Sequence, residues 1–131
     1  MTAITGKPAK IYTAYFSPTG GTKKAALALT SALADTDGFT EIDLSLPALA
    51  QYTFAADDII VIAVPVFGGR VPSFVLQQLT ALHGQNTSAI AVEAYGNRAY
   101  EDALLELSDS LTSQSFRVIA AAAVLSEHSM P

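Results

Sequence analysis

A single α/β domain built on a doubly wound, five-stranded parallel sheet is what this sequence predicts. Three observations carry that prediction. Stretches of strand composition alternate with stretches of helical period along 131 residues. The connections between them are short, and residues 58–64 (DIIVIAV) form the apolar run of a strand buried on both faces.

The elements follow in order. Residues 10–16 (KIYTAYF) are rich in aromatic and β-branched types and read as the first strand. Residues 22–34 read as a helix, with Ala26, Leu29 and Leu33 on one face. Residues 35–38 form a turn. Residues 39–44 (FTEIDL) alternate apolar and polar, as an exposed edge strand does. The stretch 47–56 is a connection with room for little more than two helical turns. After the strand at 58–64, residues 65–72 (PVFGGRVP) form a loop punctuated by Pro and Gly. Residues 73–82 read as a helix with Val75, Leu79 and Leu82 inward, ending at His83 before a capping Gly84. Residues 89–94 (AIAVEA) are a second buried strand, 95–98 a loop, and 100–114 a helix with Leu104, Leu107 and Leu111 inward. Residues 116–125 (FRVIAAAAVL) complete the set as a fifth strand, although their alanines would tolerate a helix.

Parallel strands need crossovers, and crossovers are right-handed almost without exception. Five strands in this alternation favour the order 2-1-3-4-5, which also puts the polar second strand at an edge. A closing C-terminal helix is absent after the fifth strand. Part of one sheet face then lacks a cover, an apolar patch large enough to require one. The expectation is one domain over 1–131, truncated at its C-terminus, or a dimer or other partner over that face.

Composition narrows the function. Half the residues are hydrophobic and 15% are charged, which opposes disorder. With no Cys and two His, disulfides, thiolate zinc sites and cysteine-held iron–sulfur clusters within this chain are excluded. A net charge of -5 with seven scattered Lys and Arg opposes nucleic-acid binding. No apolar run approaches the ~20 residues of a membrane span, and the start lacks a signal-peptide core, so the cytoplasm is the expected location.

In such a sheet, ligands bind beyond the carboxyl ends of the strands where the order reverses. The loops there are 17–22, 65–72 and 95–98. Ser17, Pro18, Thr19, Gly20, Gly21 and Thr22 stand directly before a helix. Backbone N–H groups at a helix start have no intrahelical partners, and the helix dipole favours an anion. Hydroxyls can rotate to donate to phosphate oxygens. Lys23 and Lys24 in the first turn oppose the dipole unless an anion is bound. The plainer reading is a helix N-cap in a Gly-rich turn.

The stretch FSPTGGTKK resembles the flavodoxin phosphate loop, whose pattern is Ser/Thr, any residue, Thr, Gly, any residue, Thr. Ser17, Thr19, Gly20 and Thr22 match its fixed positions. The resemblance covers essentially the whole chain. It is most similar to the flavodoxin half of flavodoxin–ferredoxin fusion proteins, through YFSPTGGTKK, VPVFGGRVP, EAYGNRAYEDAL and SEHS. The resemblance implies a flavodoxin-like domain that binds flavin mononucleotide (FMN) and acts in electron transfer beside an iron–sulfur or other redox module. Pro65, Val66, Phe67, Gly68 and Gly69 would lie against one side of the flavin ring, and Tyr95, Gly96, Asn97 and Arg98 against another part of it. Arg70 could offset negative charge on the reduced flavin. The plainer readings are a strand-to-helix turn with Phe67 in the core, and a helix-capping turn with Arg98 paired to Glu101 or Asp102. Glu127 and His128 read as a proton donor near the flavin or as a surface turn. Glu93, inside a buried strand, needs a partner.

A dinucleotide fingerprint, a Walker loop, a phosphatase cysteine and a receiver aspartate are all missing from their places. Two classes therefore remain: an FMN-dependent electron carrier or flavin module, and a non-redox scaffold of the same fold that binds an anion or a protein.

Overall fold

The computed structural model describes residues 10–34, 38–67, 69–95 and 101–125. Among the described residues, seven strands and three helices run in the order β1 (Ile11–Tyr15), α1 (Gly21–Leu33), β2 (Thr40–Asp43), β3 (Tyr52–Thr53), β4 (Ile59–Pro65), α2 (Ser73–Leu79), β5 (Leu82–His83), β6 (Thr87–Tyr95), α3 (Glu101–Ser113) and β7 (Phe116–Leu125). Five strands form one sheet, ordered β2-β1-β4-β6-β7 and parallel throughout. Counting only the strands of this sheet, that is the expected order 2-1-3-4-5.

Period-two alternation sorts the side chains of each central strand between two cores. On one face, Ala14, Ile60, Ile62, Val64, Ala89 and Ala91 pack with Val75 and Leu79 of α2 and with Ala103, Leu107 and Leu111 of α3. On the other, Tyr15, Val61, Ala63 and Val92 pack with Ala26 of α1. Burying a leucine such as Leu107 contributes roughly 1.5–3 kcal/mol. These contacts hold the ends of β1 and β4 side by side, Tyr15 opposite Ala63, and so fix the crevice at the carboxyl edge.

Four expectations change. The connection 47–56 holds no helix; it runs extended into β3, which pairs in parallel with β5 as a separate two-stranded sheet. The helix expected to reach Leu82 stops at Leu79. Leu82 is buried from a strand, and His83 bonds the Gln51 side chain (Nε2 to Oε1, 2.6 Å). Gly84 is not a left-handed cap. It passes so close to the next turn that a Cβ would lie 2.7 Å from the Ser115 carbonyl oxygen. Leu33 lies exposed at the C-terminal end of α1; Thr30 is buried in its place, its hydroxyl donating to the Ala26 carbonyl at 2.7 Å.

β7 adopts strand through all ten residues, pairing along the length of β6 with a bulge at Ile119. Among the described residues only α1 covers its face of the sheet, and it packs on β1, β4 and β6 rather than on β7. Ile119 of β7 is 47% exposed. No described helix is long and apolar enough to cross a membrane.

Candidate functional site

The first loop leaves β1 through Phe16, whose N–H still bonds the Ala63 carbonyl of β4 at 3.2 Å. The chain then bends through Pro18, Thr19 and Gly20, all exposed, and enters α1 at Gly21. Gly20 is the helix N-cap and has φ 96°, a left-handed conformation that a Cβ would strain. No side chain caps the helix from the Gly20 position. Instead Ser17 Oγ accepts the Lys23 N–H at 2.9 Å, and Lys24 N–H bonds the Gly20 carbonyl at 3.0 Å.

That arrangement uses the third and fourth amides of the helix and leaves the earlier ones. Among the described residues, the N–H groups of Thr19, Gly20, Gly21 and Thr22 have no protein acceptor. Four consecutive unpaired donors at a helix N-terminus form an anion cradle. Ser17 accepts from Lys23 and keeps its own proton free to donate. Lys23 Nζ sits 5.5 Å from the Tyr15 ring centroid, a cation–π contact that holds its charge beside the first turn. The Tyr15 hydroxyl in turn donates to Glu41 Oε1 at 2.7 Å, and burial, followed by Glu41, pushes its pKa up to about 12.

The second loop begins at the buried end of β4. Val66 N–H bonds the Ala94 carbonyl at 3.1 Å, which ties the loop's base to β6. Phe67 and Arg70 then exchange backbone hydrogen bonds at 2.9 and 3.1 Å, and Gly69 has φ 80°. Phe67 is 55% exposed, so the reading that put it in the core does not hold. Arg70 is not an isolated cation facing the crevice. Its guanidinium meets Glu106 of α3 at 2.6 Å through Nη2 and 3.3 Å through Nε, while Val71 N–H bonds the same carboxylate at 3.1 Å. This clamp pins the loop to α3 and, with Arg70 as the main cause, holds the Glu106 carboxyl below the usual carboxylate range.

The third loop begins at Tyr95, the last residue of β6, whose side chain lies outside the description. Gly68, Gly96, Asn97, Arg98, Glu127 and His128 also lie outside the described residues. The structure thus brings the starts of all three expected loops to one edge of the sheet: Tyr15, Pro65 and Tyr95 end β1, β4 and β6.

The Arg70–Glu106 clamp, which links positions 36 residues apart, was not legible in the sequence. The partner expected for Glu93 is not found: the side chain is fully buried, and among the described residues neither carboxylate oxygen has a hydrogen-bond partner. An acidic residue inside an apolar strand signalled the burial but not the missing partner.

Solved structures share this architecture. Oxidised flavodoxin 1 from Bacillus cereus superposes with a TM-score of 0.66 at 16% identity, over 90% of this chain and 85% of that one. The flavodoxin of Streptococcus pneumoniae TIGR4 gives a TM-score of 0.66 at 15% identity, over 92% and 90%. A flavoprotein from Lactobacillus acidophilus NCFM, solved in complex with FMN, gives 0.59 at 18% identity, over 87% and 92%. The domain therefore has a flavodoxin-like fold. No protein-family model and no curated protein matches the chain.

Proposed function

We propose that this domain binds FMN and serves in electron transfer, with an iron–sulfur protein or another redox module as its partner. The observation that carries the reading is the row of unpaired N–H groups at the exposed Thr19 and Gly20 and the buried Gly21 and Thr22, at the N-terminus of α1. A phosphate monoester carries close to two negative charges at neutral pH and several strong acceptor oxygens. It matches four donors, a helix dipole and three hydroxyls, at Ser17, Thr19 and Thr22. The residues present therefore fit the phosphate of FMN.

The ring's place follows from the other two loops. Pro65, Val66, Phe67, Gly68 and Gly69 form one wall in this reading, with the exposed Phe67 offering an aromatic surface. Tyr95, Gly96, Asn97 and Arg98 form the other. Arg70 acts indirectly, by clamping the first wall to α3 through Glu106. Bound FMN supplies the electron chemistry; the chain supplies position and electrostatics. A flavoprotein of this fold that holds FMN, from Lactobacillus acidophilus, lends support by analogy of fold.

Fluorescence quenching of added FMN tests the reading. Wild-type protein is expected to quench at micromolar FMN. Thr19→Ala with Thr22→Ala is expected to weaken FMN at least tenfold more than riboflavin, which lacks the phosphate. Absence of FMN binding at tens of micromolar favours the non-redox scaffold, and equal losses for the two ligands contradict the phosphate assignment.

A further inference from the structure

Glu93 sits in β6 two residues before its carboxyl end, flanked by Val64 of β4 and Ala123 of β7 in the sheet. Strand alternation sets it on the same face as Ala89 and Ala91, the face covered by α2 and α3. The residue after it, Ala94, holds the base of the second loop through the Val66 N–H. Glu93 thus lies in the layer directly beneath that loop. Its side chain is fully buried, and among the described residues both oxygens are unpaired.

Its electrostatic surroundings are simple among the described residues. β4, β7 and α2 present no titratable side chain to this face. α3 presents Glu106, whose carboxylate is already taken by Arg70 and the Val71 N–H; Asp109 lies exposed on the same helix. Of the two carboxylates, Glu106 is the one that Arg70 is seen to pair with. An ionised Glu93 would place a second, buried negative charge near Glu106, whose carboxylate already pairs with the largely exposed Arg70.

We propose that Glu93 is a proton-holding residue of the redox site, taking up a proton from water as negative charge arrives in the crevice above it. The proposal rests on the FMN reading. The redox partner supplies the electrons. The proton comes from solvent and adds to a carboxylate oxygen of Glu93, and no other bond forms or breaks in the protein. Burial, with a smaller contribution from Glu106, raises the Glu93 pKa to about 7, so the group is poised for uptake near neutrality. Negative charge nearby raises its proton affinity further. Between the two affinities, reduction draws in a proton; below and above them it does not.

The test compares wild-type and Glu93→Gln holoprotein by redox titration from pH 5 to 9. Gln is neutral at every pH and imitates the protonated carboxyl. The two midpoint potentials are expected to coincide at pH 5–6 and to separate above pH 7, with the wild type lower. The wild-type slope exceeds that of the variant by up to a tenfold change in reduction equilibrium per pH unit, about 30 mV for two electrons. Glu106→Gln, which removes the facing charge, is expected to move the wild-type break to lower pH. Infrared spectra of the FMN-free protein supply a second readout, a buried carboxylic-acid band that titrates near neutrality and is missing from Glu93→Gln. Parallel slopes with FMN bound, or no such band, overturn the role of Glu93 alone. Unquenched FMN with wild-type protein overturns the proposed function and the coupling together.

Discussion

Replacing Glu93 by Gln should make the FMN-free protein more stable in a way that depends on pH, and the size of the effect follows from burial. In the folded protein the carboxyl holds its proton to about pH 7, against 4.5 for an ordinary glutamate. Below 4.5 the group is neutral in both states, so it adds no pH-dependent term. From 4.5 to 7 the unfolded chain releases the proton while the folded one keeps it. The unfolded state then binds fewer protons, and stability falls as pH rises. Above 7 both states are ionised and the loss is complete. A difference of 2.5 pH units corresponds to about 3 kcal/mol. Gln has no such term. The stability difference between Glu93→Gln and wild type should be constant below pH 4.5, grow by about 3 kcal/mol up to pH 7 and level off beyond. Urea denaturation at unit pH steps from 4 to 8 measures it, with the difference at each pH cancelling the titration of all other groups. A difference that stays flat across the range would show that Glu93 ionises normally in the folded state, and the reasoning from its unpaired oxygens would be refuted.

Other expectations come from single positions. Gly20→Ala places a Cβ at φ 96° and should cost about 1–2 kcal/mol in urea denaturation, with added loss of FMN affinity because the cradle's backbone must shift. Gly84→Ala puts a methyl 2.7 Å from the Ser115 carbonyl oxygen, a backbone atom that yields only if the α3–β7 turn moves. A loss of about 1–3 kcal/mol is expected there, and wild-type melting would contradict the close approach. Tyr15 should ionise near pH 12 in an ultraviolet titration; Glu41→Gln should bring it part of the way back toward 10.

The main sheet was legible because its signals are local. The apolar run at 58–64 marks a central strand by composition alone, and the polar alternation of 39–44 marks an edge strand of the same sheet. The phosphate-loop pattern from Ser17 to Thr22 is likewise local, since six consecutive residues bend the chain and begin the helix. Residues 116–125 were ambiguous by propensity, because alanine suits a helix. Pairing with β6 decided for strand, as ladder hydrogen bonds to a neighbour outweigh a preference of tenths of a kcal/mol per residue. The stretch 47–56 misled for the same reason. Its β3 exists only because Leu82–His83 comes alongside, a pairing with no local signature.

By itself the sequence determined the alternation of elements, the order of the main sheet and the loop that opens α1, all of which depend on residues near one another in the chain. Tertiary structure decided which amides stay unpaired, where Arg70 spends its charge and how Glu93 is surrounded. Those outcomes depend on β4, β6 and α3 converging from distant parts of the chain. A carboxyl's proton affinity is set by the solvent it loses and the charges it meets, and neither is fixed until the helices close over the sheet.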